Sequence, residues 1–254
     1  LIAYQQEEDK PEDLATIPML SLQDIGKKAQ FYEIKEKKTH GQKQLHYDTF
    51  TNNILYSKLM FDARVLEKDQ LPYLALLAEV LGKLNTDNYS YGELDNQLNM
   101  HTGGFSTYLT SYLADNDDNK LLPKFVVRSK ATNDKSQKML ELTSEILTKS
   151  HIDDKERLKT LLTRYQARQY ANVMRNGMQL ALTRVSSYYS KYGQLREMTG
   201  GYSYYRFITD LTENYDQKYD QIVTNLQEVA KLVFNKNNLV SAITCTNKDL
   251  KNYN

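Results

Sequence analysis

The spacing of apolar positions changes period several times along the chain, and each change marks an element. Residues 29–37 and 44–50 alternate apolar with polar side chains, and Thr39-His40-Gly41 between them suits a turn, so the pattern predicts a β-hairpin. Residues 53–66 alternate again. Leu55, Ser57, Leu59, Phe61, Ala63 and Val65 share one face, and Tyr56, Lys58, Met60, Asp62 and Arg64 the other, which predicts a strand buried on one side. At Gln70-Leu71-Pro72 the period becomes helical. Proline suits a first turn, and Leu74, Leu77, Leu81 and Leu84 fall on one face with Leu76 and Val80 beside it, so a heavily buried helix is expected over residues 71–84. A shorter helix from Tyr91 carries Leu94 and Leu98 and is expected to end in a left-handed cap at Gly103-Gly104. Residues 105–113 and 121–131 then form a second predicted hairpin around an acidic loop, residues 115–119.

From Asn133 the pattern is helical as far as Val233, with break signals at residues 150–154, Asn176-Gly177, Tyr192-Gly193 and Thr199-Gly200-Gly201. Ile222, Leu226, Val229 and Val233 mark the last helix, residues 216–233, and an apolar run over residues 239–246 reads as an interior strand. Strands, two helices, strands, several helices and one strand predict an α+β fold: a largely antiparallel sheet with helices packed on one face. Ile17-Pro18-Met19-Leu20 reads as extended backbone entering that domain. The expected division is residues 1–25, the end of a helical linker and a junction, and residues 26–254, one α+β domain. The chain begins at Leu1 with residues that read as the last turns of a helix, so a segment of a longer protein is expected.

Composition narrows the function classes. The chain has 254 residues, 33 Lys+Arg against 32 Asp+Glu, and a net charge of +1, which argues against binding driven by phosphate neutralisation. One cysteine, Cys245, excludes an intrachain disulfide and any Cys-rich zinc module. No window is apolar enough to span a membrane and the N-terminus lacks the order of a signal peptide, so a soluble protein is expected, the cytoplasm being favoured over export.

Candidate chemistry is sparse. His40, His46, His101 and His151 include no pair at the i, i+3 or i, i+4 spacing that aims two imidazoles at one metal. Residues 115–119 partly match a calcium loop but lack the glycine at position six, and position twelve is Val126, so an acidic hairpin tip is the better reading. Serine-nucleophile, phosphate-loop and dinucleotide motifs are absent. The Gly pairs after Thr102 and Thr199 are too short to be phosphate cradles, and Cys245 reads as a buried thiol. Tyr188, Tyr189, Tyr192, Tyr202, Tyr204 and Tyr205 cluster with Arg196 and Arg206. They suit either a platform for bases or peptides, or half-wet seams between helices and sheet.

Two stretches carry a resemblance. One is Leu-Pro-Tyr-Leu-Ala-Leu-Leu-Ala-Glu-Val-Leu-Gly-Lys-Leu-Asn-Thr from Leu71, followed by Tyr-Ser-Tyr-Gly-Glu-Leu-Asp-Asn-Gln-Leu-Asn-Met-His-Thr-Gly-Gly-Phe to Phe105; the other runs from Glu12 to Ile25. They resemble the insulinase and pitrilysin superfamily of inverzincin metallopeptidases, and within it the presequence protease branch. The matching region is the first domain of that family's C-terminal half, and the likeness runs over essentially the whole chain. It implies a mitochondrial-processing-peptidase-like metallohydrolase fold. It also implies zinc on an H-x-x-E-H helix in the catalytic N-terminal half of the parent protein.

Aligned on Gly82, the three motif places in this chain fall on Tyr73, Leu76 and Leu77, which supply no ligand set. The resemblance therefore implies no catalytic residue, no metal ligand and no cofactor in this chain, and leaves its substrate-binding residues unknown. It implies a non-catalytic domain of a zinc metalloendopeptidase that degrades unfolded oligopeptides in a closed chamber. The domain would form chamber wall and contacts between the halves. Its expected partners are other domains of the same polypeptide and peptide substrates, with no nucleic acid and no membrane. Neither Arg196, Arg206 nor any tyrosine receives a substrate-holding role. The alternatives are a stand-alone, metal-free peptide-binding or assembly module of the same fold, and single-strand nucleic-acid binding through the tyrosines.

Overall fold

The computed structural model of the chain describes residues 2–29, 31–114 and 117–253, in two units, residues 1–33 and 34–254. The first unit holds two short helices, α1 (Ile2–Gln5) and α2 (Pro11–Leu14), the second opened by proline in its first turn. A local turn follows in which the Ser21 N–H and hydroxyl both donate to Asp24. Met19, Leu20 and Leu22 are exposed.

In the second unit, β1 (Ile34–Thr39) and β2 (Gln42–Asp48) are joined by His40 and Gly41 at φ 51° and 82°, a two-residue turn whose twist matches that of the strands. Next come β3 (Ile54–Asp62), α3 (Leu71–Val80), α4 (Tyr91–His101), β4 (Gly104–Ala114) and β5 (Asp117–Thr132). A helical stretch follows: α5 (Ser136–Lys149), α6 (Lys155–Arg175), α7 (Gly177–Ser186), α8 (Lys191–Gly200), α9 (Tyr202–Glu213) and α10 (Tyr215–Val233). The last strand is β6 (Leu239–Cys245).

The sheet runs β1-β2-β6-β3-β5-β4. β6 lies parallel to β2, and the other four pairings are antiparallel. This is a mixed, mostly antiparallel α+β sheet. Alternation decides its faces: Leu55 and Phe61 of β3, Phe125 and Val127 of β5 and Ile243 of β6 are buried, while Tyr56, Lys58, Arg128 and Lys130 are exposed on the opposite side. The buried face packs into one large cluster with α3, α6, α9 and α10, including Leu74, Leu77, Leu158, Ile208 and Leu226. A smaller cluster joins Leu55, Met139, Ile243 and Cys245.

Several boundaries differ from the pattern-based expectation. β1 starts at Ile34, not at residue 29: Phe31 is 90% exposed, and residue 30 lies outside the described residues. β3 stops at Asp62 because its carboxylate accepts from the Arg64 N–H and starts a 3-10 turn at Ala63. α3 ends at Val80, short of residue 84. Leu81 is extended (ψ 138°), and Gly82 takes φ 78°, which a side chain would strain. Leu81 and Leu84 are still buried, so their spacing recorded the core rather than a helix. α4 ends without a left-handed cap. Thr102 is extended, and its hydroxyl donates to the Leu98 carbonyl. The second hairpin is tighter than expected, since Asp117 already pairs with Ala114; residues 115 and 116 of the predicted loop lie outside the described residues. The break expected at Tyr192-Gly193 falls at residues 187–190, and Gly193 sits inside α8.

Candidate functional site

The helix that matches the metallopeptidase motif is α3. Its apolar run leaves no residue exposed, because α10, α8, α6 and β4 all pack against it. Tyr73 is 8% exposed, and Leu76 and Leu77 are fully buried. The Tyr73 ring meets Phe207 edge-on at 5.0 Å. Burial, followed by the charges of Asp210 and Asp69, raises its phenol above the usual tyrosine value, so it stays neutral. A zinc site needs several nitrogen, oxygen or sulfur donors around one point. One phenol and two isobutyl groups do not meet that need, and these three positions do not fit the metal.

The acid that α3 does carry, Glu79, lies one turn further along and is already engaged. Lys83 Nζ stands 2.5 Å from Glu79 Oε1, and the Arg168 guanidinium pairs with the same carboxylate. Glu79 lines a polar cleft of about 340 Å³ with Thr107, Tyr165, Arg196 and Thr199. Arg196 in turn donates to the Tyr192 hydroxyl at 3.3 Å. Charges compensated in this way can hold a polar ligand, but they leave no free base to activate water.

The four histidines are dispersed. His40 is exposed at the hairpin turn, His101 is half-buried at the end of α4, and His151 Nε2 lies 2.9 Å from Asp87 Oδ1. His46 is buried, with Nε2 2.9 Å from the Cys245 carbonyl oxygen. Among the described residues no group of three or more His, Cys, Asp or Glu could hold a metal. Burial, then the charges of Asp249 and Asp48, push the Cys245 thiol up to about 11, which keeps it protonated and unreactive.

The tyrosines do not form one cluster. Tyr204 is fully buried between Tyr165 and Phe207, at ring distances of 6.1 and 6.0 Å. Tyr202 and Tyr205 pair on α9 at 5.9 Å. Tyr188, Tyr189 and Tyr192 are exposed and, with Leu113 and Leu121 at the end of the β4–β5 hairpin, line a groove of about 580 Å³. The seam reading holds for Tyr204 and fails for the other three, because the loop at residues 187–190 lifts them away from the core.

Sequence patterns missed a buried carboxylate, Glu197, which is 5% exposed near the end of α8. It accepts from the Ser203 N–H at 2.9 Å, capping the first turn of α9 from a neighbouring helix, and from Arg184 Nη1 at 2.7 Å. The partners lie on three helices, so no local spacing announces them. Burial pushes the Glu197 carboxyl up, but the hydrogen bonds from Ser203 and Arg184 outweigh it and hold the pKa below the usual glutamate value. A depressed folded-state pKa gives stability that is full above the unfolded value of about 4.3 and is lost as pH falls through the folded one. Glu197→Gln is therefore expected to lower the urea midpoint at pH 7, with the deficit shrinking at pH 3. A deficit equal at both pH values would show that the charge is not what stabilises.

Against this geometry, comparison with known proteins is informative. The family that matches is the associated region of peptidase family M16, subfamily C, over residues 1–211. Protein HypA of Clostridium perfringens is 33% identical over 249 residues, covering 98% of this chain and 25% of its own length. Presequence protease 1, chloroplastic/mitochondrial, of Arabidopsis thaliana is 28% identical over 249 residues, covering 98% and 23%. The chain thus spans about a quarter of the length of these relatives. Among solved structures, a peptidase M16 inactive domain from Pseudomonas fluorescens superposes with a TM-score of 0.57 at 17% identity, over 84% of this chain and 46% of that one; the likeness is one of fold. A metallopeptidase-type sheet and motif helix, without the metal-binding side chains, is thus joined by a family match over most of the sequence, and the chain belongs to the family of domains associated with the subfamily C peptidases of family M16.

Proposed function

We propose that this chain is a non-catalytic domain of a zinc-dependent metalloendopeptidase that degrades unfolded oligopeptides in a closed chamber, where it forms chamber wall and contacts between the two halves. The observation that carries the reading is the motif helix itself. α3 stands in a chain of peptidase family, yet its three motif places are Tyr73, Leu76 and Leu77, all buried. Zinc and the catalytic groups then belong to another part of the same polypeptide. Relatives of about four times this length leave room for such a part.

A surface suited to another domain supports the contact role. Tyr170 and Met174 of α6, Met178, Leu182 and Val185 of α7, and Tyr189 beyond it recur every three or four residues, all more than half exposed, and no residue of α7 is buried. An exposed stripe of this kind is uncommon on an independent soluble domain and is characteristic of an interface. Nucleic-acid and membrane roles are not part of the reading. The net charge is +1, and among the described residues no helix is long and apolar enough to cross a membrane. The purified chain is expected to contain no stoichiometric zinc and to leave a quenched oligopeptide intact. Metal-dependent, chelator-sensitive turnover by this chain would sink the proposal.

A further inference from the structure

The sheet face turned away from the helices holds an arrangement that folding does not favour. The β3–β5 register sets Lys58 directly opposite Arg128 and Tyr56 opposite Lys130, and β4 extends these two rows with Ser106 and Gly104. Lys58, Arg128 and Lys130 are all exposed on this side. Like charges directly opposite each other destabilise a sheet. No side-chain hydrogen bond or ion pair to any of the three is present among the described residues. Elsewhere on the same face charge is matched: Lys124 Nζ lies 2.7 Å from Asp62 Oδ2, and Lys43 Nζ 2.6 Å from Glu36 Oε2. The unmatched row borders a recess of about 280 Å³ lined by Tyr56, Gly104, Ser106, Arg128 and Lys130. At about 30 Å³ per water molecule, that volume admits a carboxylate side chain together with solvent.

We propose that Lys58, Arg128 and Lys130 form a binding site for the carboxylates of an extended acidic peptide segment. The spacing selects this occupant. Arg128 and Lys130 are alternate residues of one strand, about 7 Å apart on the same face, and an extended peptide repeats its own side chains at the same interval. A segment with acids at alternate positions, running along β5, sets one carboxylate on Arg128 and the next on Lys130. Lys58, one strand away at about 4.8 Å, shares the first. Arg128 offers a planar fork suited to a carboxylate, Tyr56 a flat apolar surface for the peptide, and Ser106 a hydroxyl at the end of the row. The facing cations that weaken the empty sheet become the attraction that holds the ligand.

That such a segment belongs to a peptide confined in a chamber rests on the function proposed above. The binding does not, and it is measured without any cleavage. The experiment is fluorescence anisotropy with the full 254-residue chain and a labelled peptide of alternating Glu and Ser. The same peptide with Gln for Glu, an oligothymidylate of equal charge, and inorganic phosphate as competitor are the comparison probes. The Glu peptide is expected to bind at least about tenfold more tightly than the Gln peptide and to weaken as salt rises. Arg128→Gln and Lys130→Gln are each expected to weaken it by up to about fivefold, as exposed ion pairs do. Lys58→Gln carries the more specific signature, because it should weaken binding while raising the melting temperature, the relief of a facing repulsion. Equal affinity for the Gln peptide would overturn the proposal. So would unchanged binding in the Arg128→Gln/Lys130→Gln double variant, tighter binding of the oligothymidylate, or displacement of the peptide by phosphate at equal charge. Turnover in the zinc assay bears on the function alone, so the two failures are separable.

Discussion

Writing the metal motif back into α3, by Tyr73→His, Leu76→Glu and Leu77→His together, is expected to unfold the chain rather than yield a zinc peptidase. Leu76 and Leu77 are fully buried in the main core beside Leu74 and Val80. Removing two buried leucine side chains forfeits about 1.5–3 kcal/mol each. A carboxylate placed at position 76 adds a desolvation cost of several kcal/mol, with no cation in place to offset it. The sum approaches the roughly 5–15 kcal/mol that typically holds a domain together. Circular dichroism with and without excess zinc, together with metal analysis, reads the result. A cooperatively folded triple variant carrying one zinc would show that the site is merely missing its ligands. Loss of structure would show that the core has been rebuilt around their absence, so that no small set of substitutions recovers the metal.

Gly193→Ala is expected to destabilise the chain by about 3 kcal/mol, the upper part of the range for overpacking. A Cβ at this position would lie 2.2 Å from the Ser186 carbonyl oxygen, 2.4 Å from its carbon and 2.8 Å from the Ser187 nitrogen. These are backbone atoms at the end of α7, tied down by the Ser187 N–H to Thr183 and the Ser190 N–H to Ser186 bonds, so the clash cannot be relieved by turning a side chain. Relief requires α8 to shift away from α7, which also disturbs Glu197 and its hold on α9. Gly200→Ala is the matched control. It lies in the same helix with nothing within 4 Å of its Cβ and is expected to be neutral or up to about 1 kcal/mol stabilising. Equal urea midpoints for the two variants would refute the close approach.

Local periodicity was a good guide where one face of an element decides its fate. The alternation of Leu55, Ser57 and Phe61 identified the buried face of β3, and Ile222, Leu226 and Val229 identified that of α10. It misled where burial comes from all sides: Leu81 and Leu84 extended the expected α3 by four residues because core contact, not helical geometry, keeps them apolar. Gly193 read as a helix stop although its role is to let two backbones meet, a distinction that depends on a neighbour in space. The candidate sites divide in the same way. The unsuitability of Tyr73, Leu76 and Leu77 as ligands is legible from residue type alone. The Glu197 cap and the facing Lys58 and Arg128 depend on helix packing and strand register, which bring together residues that no spacing rule connects.

The parallel pairing of β6 with β2 also governs the order in which the molecule can be completed. Among the described residues β6 is the one strand joining β1–β2 to β3–β5–β4, and it follows every other strand of the sheet off the ribosome. Until it arrives, β2 and β3 each present a long unpaired edge, the kind of surface that recruits other strands. The family match ends at residue 211, ahead of this strand. A fragment cut at that boundary would keep most of the sequence signature and lose the staple that makes one sheet of two.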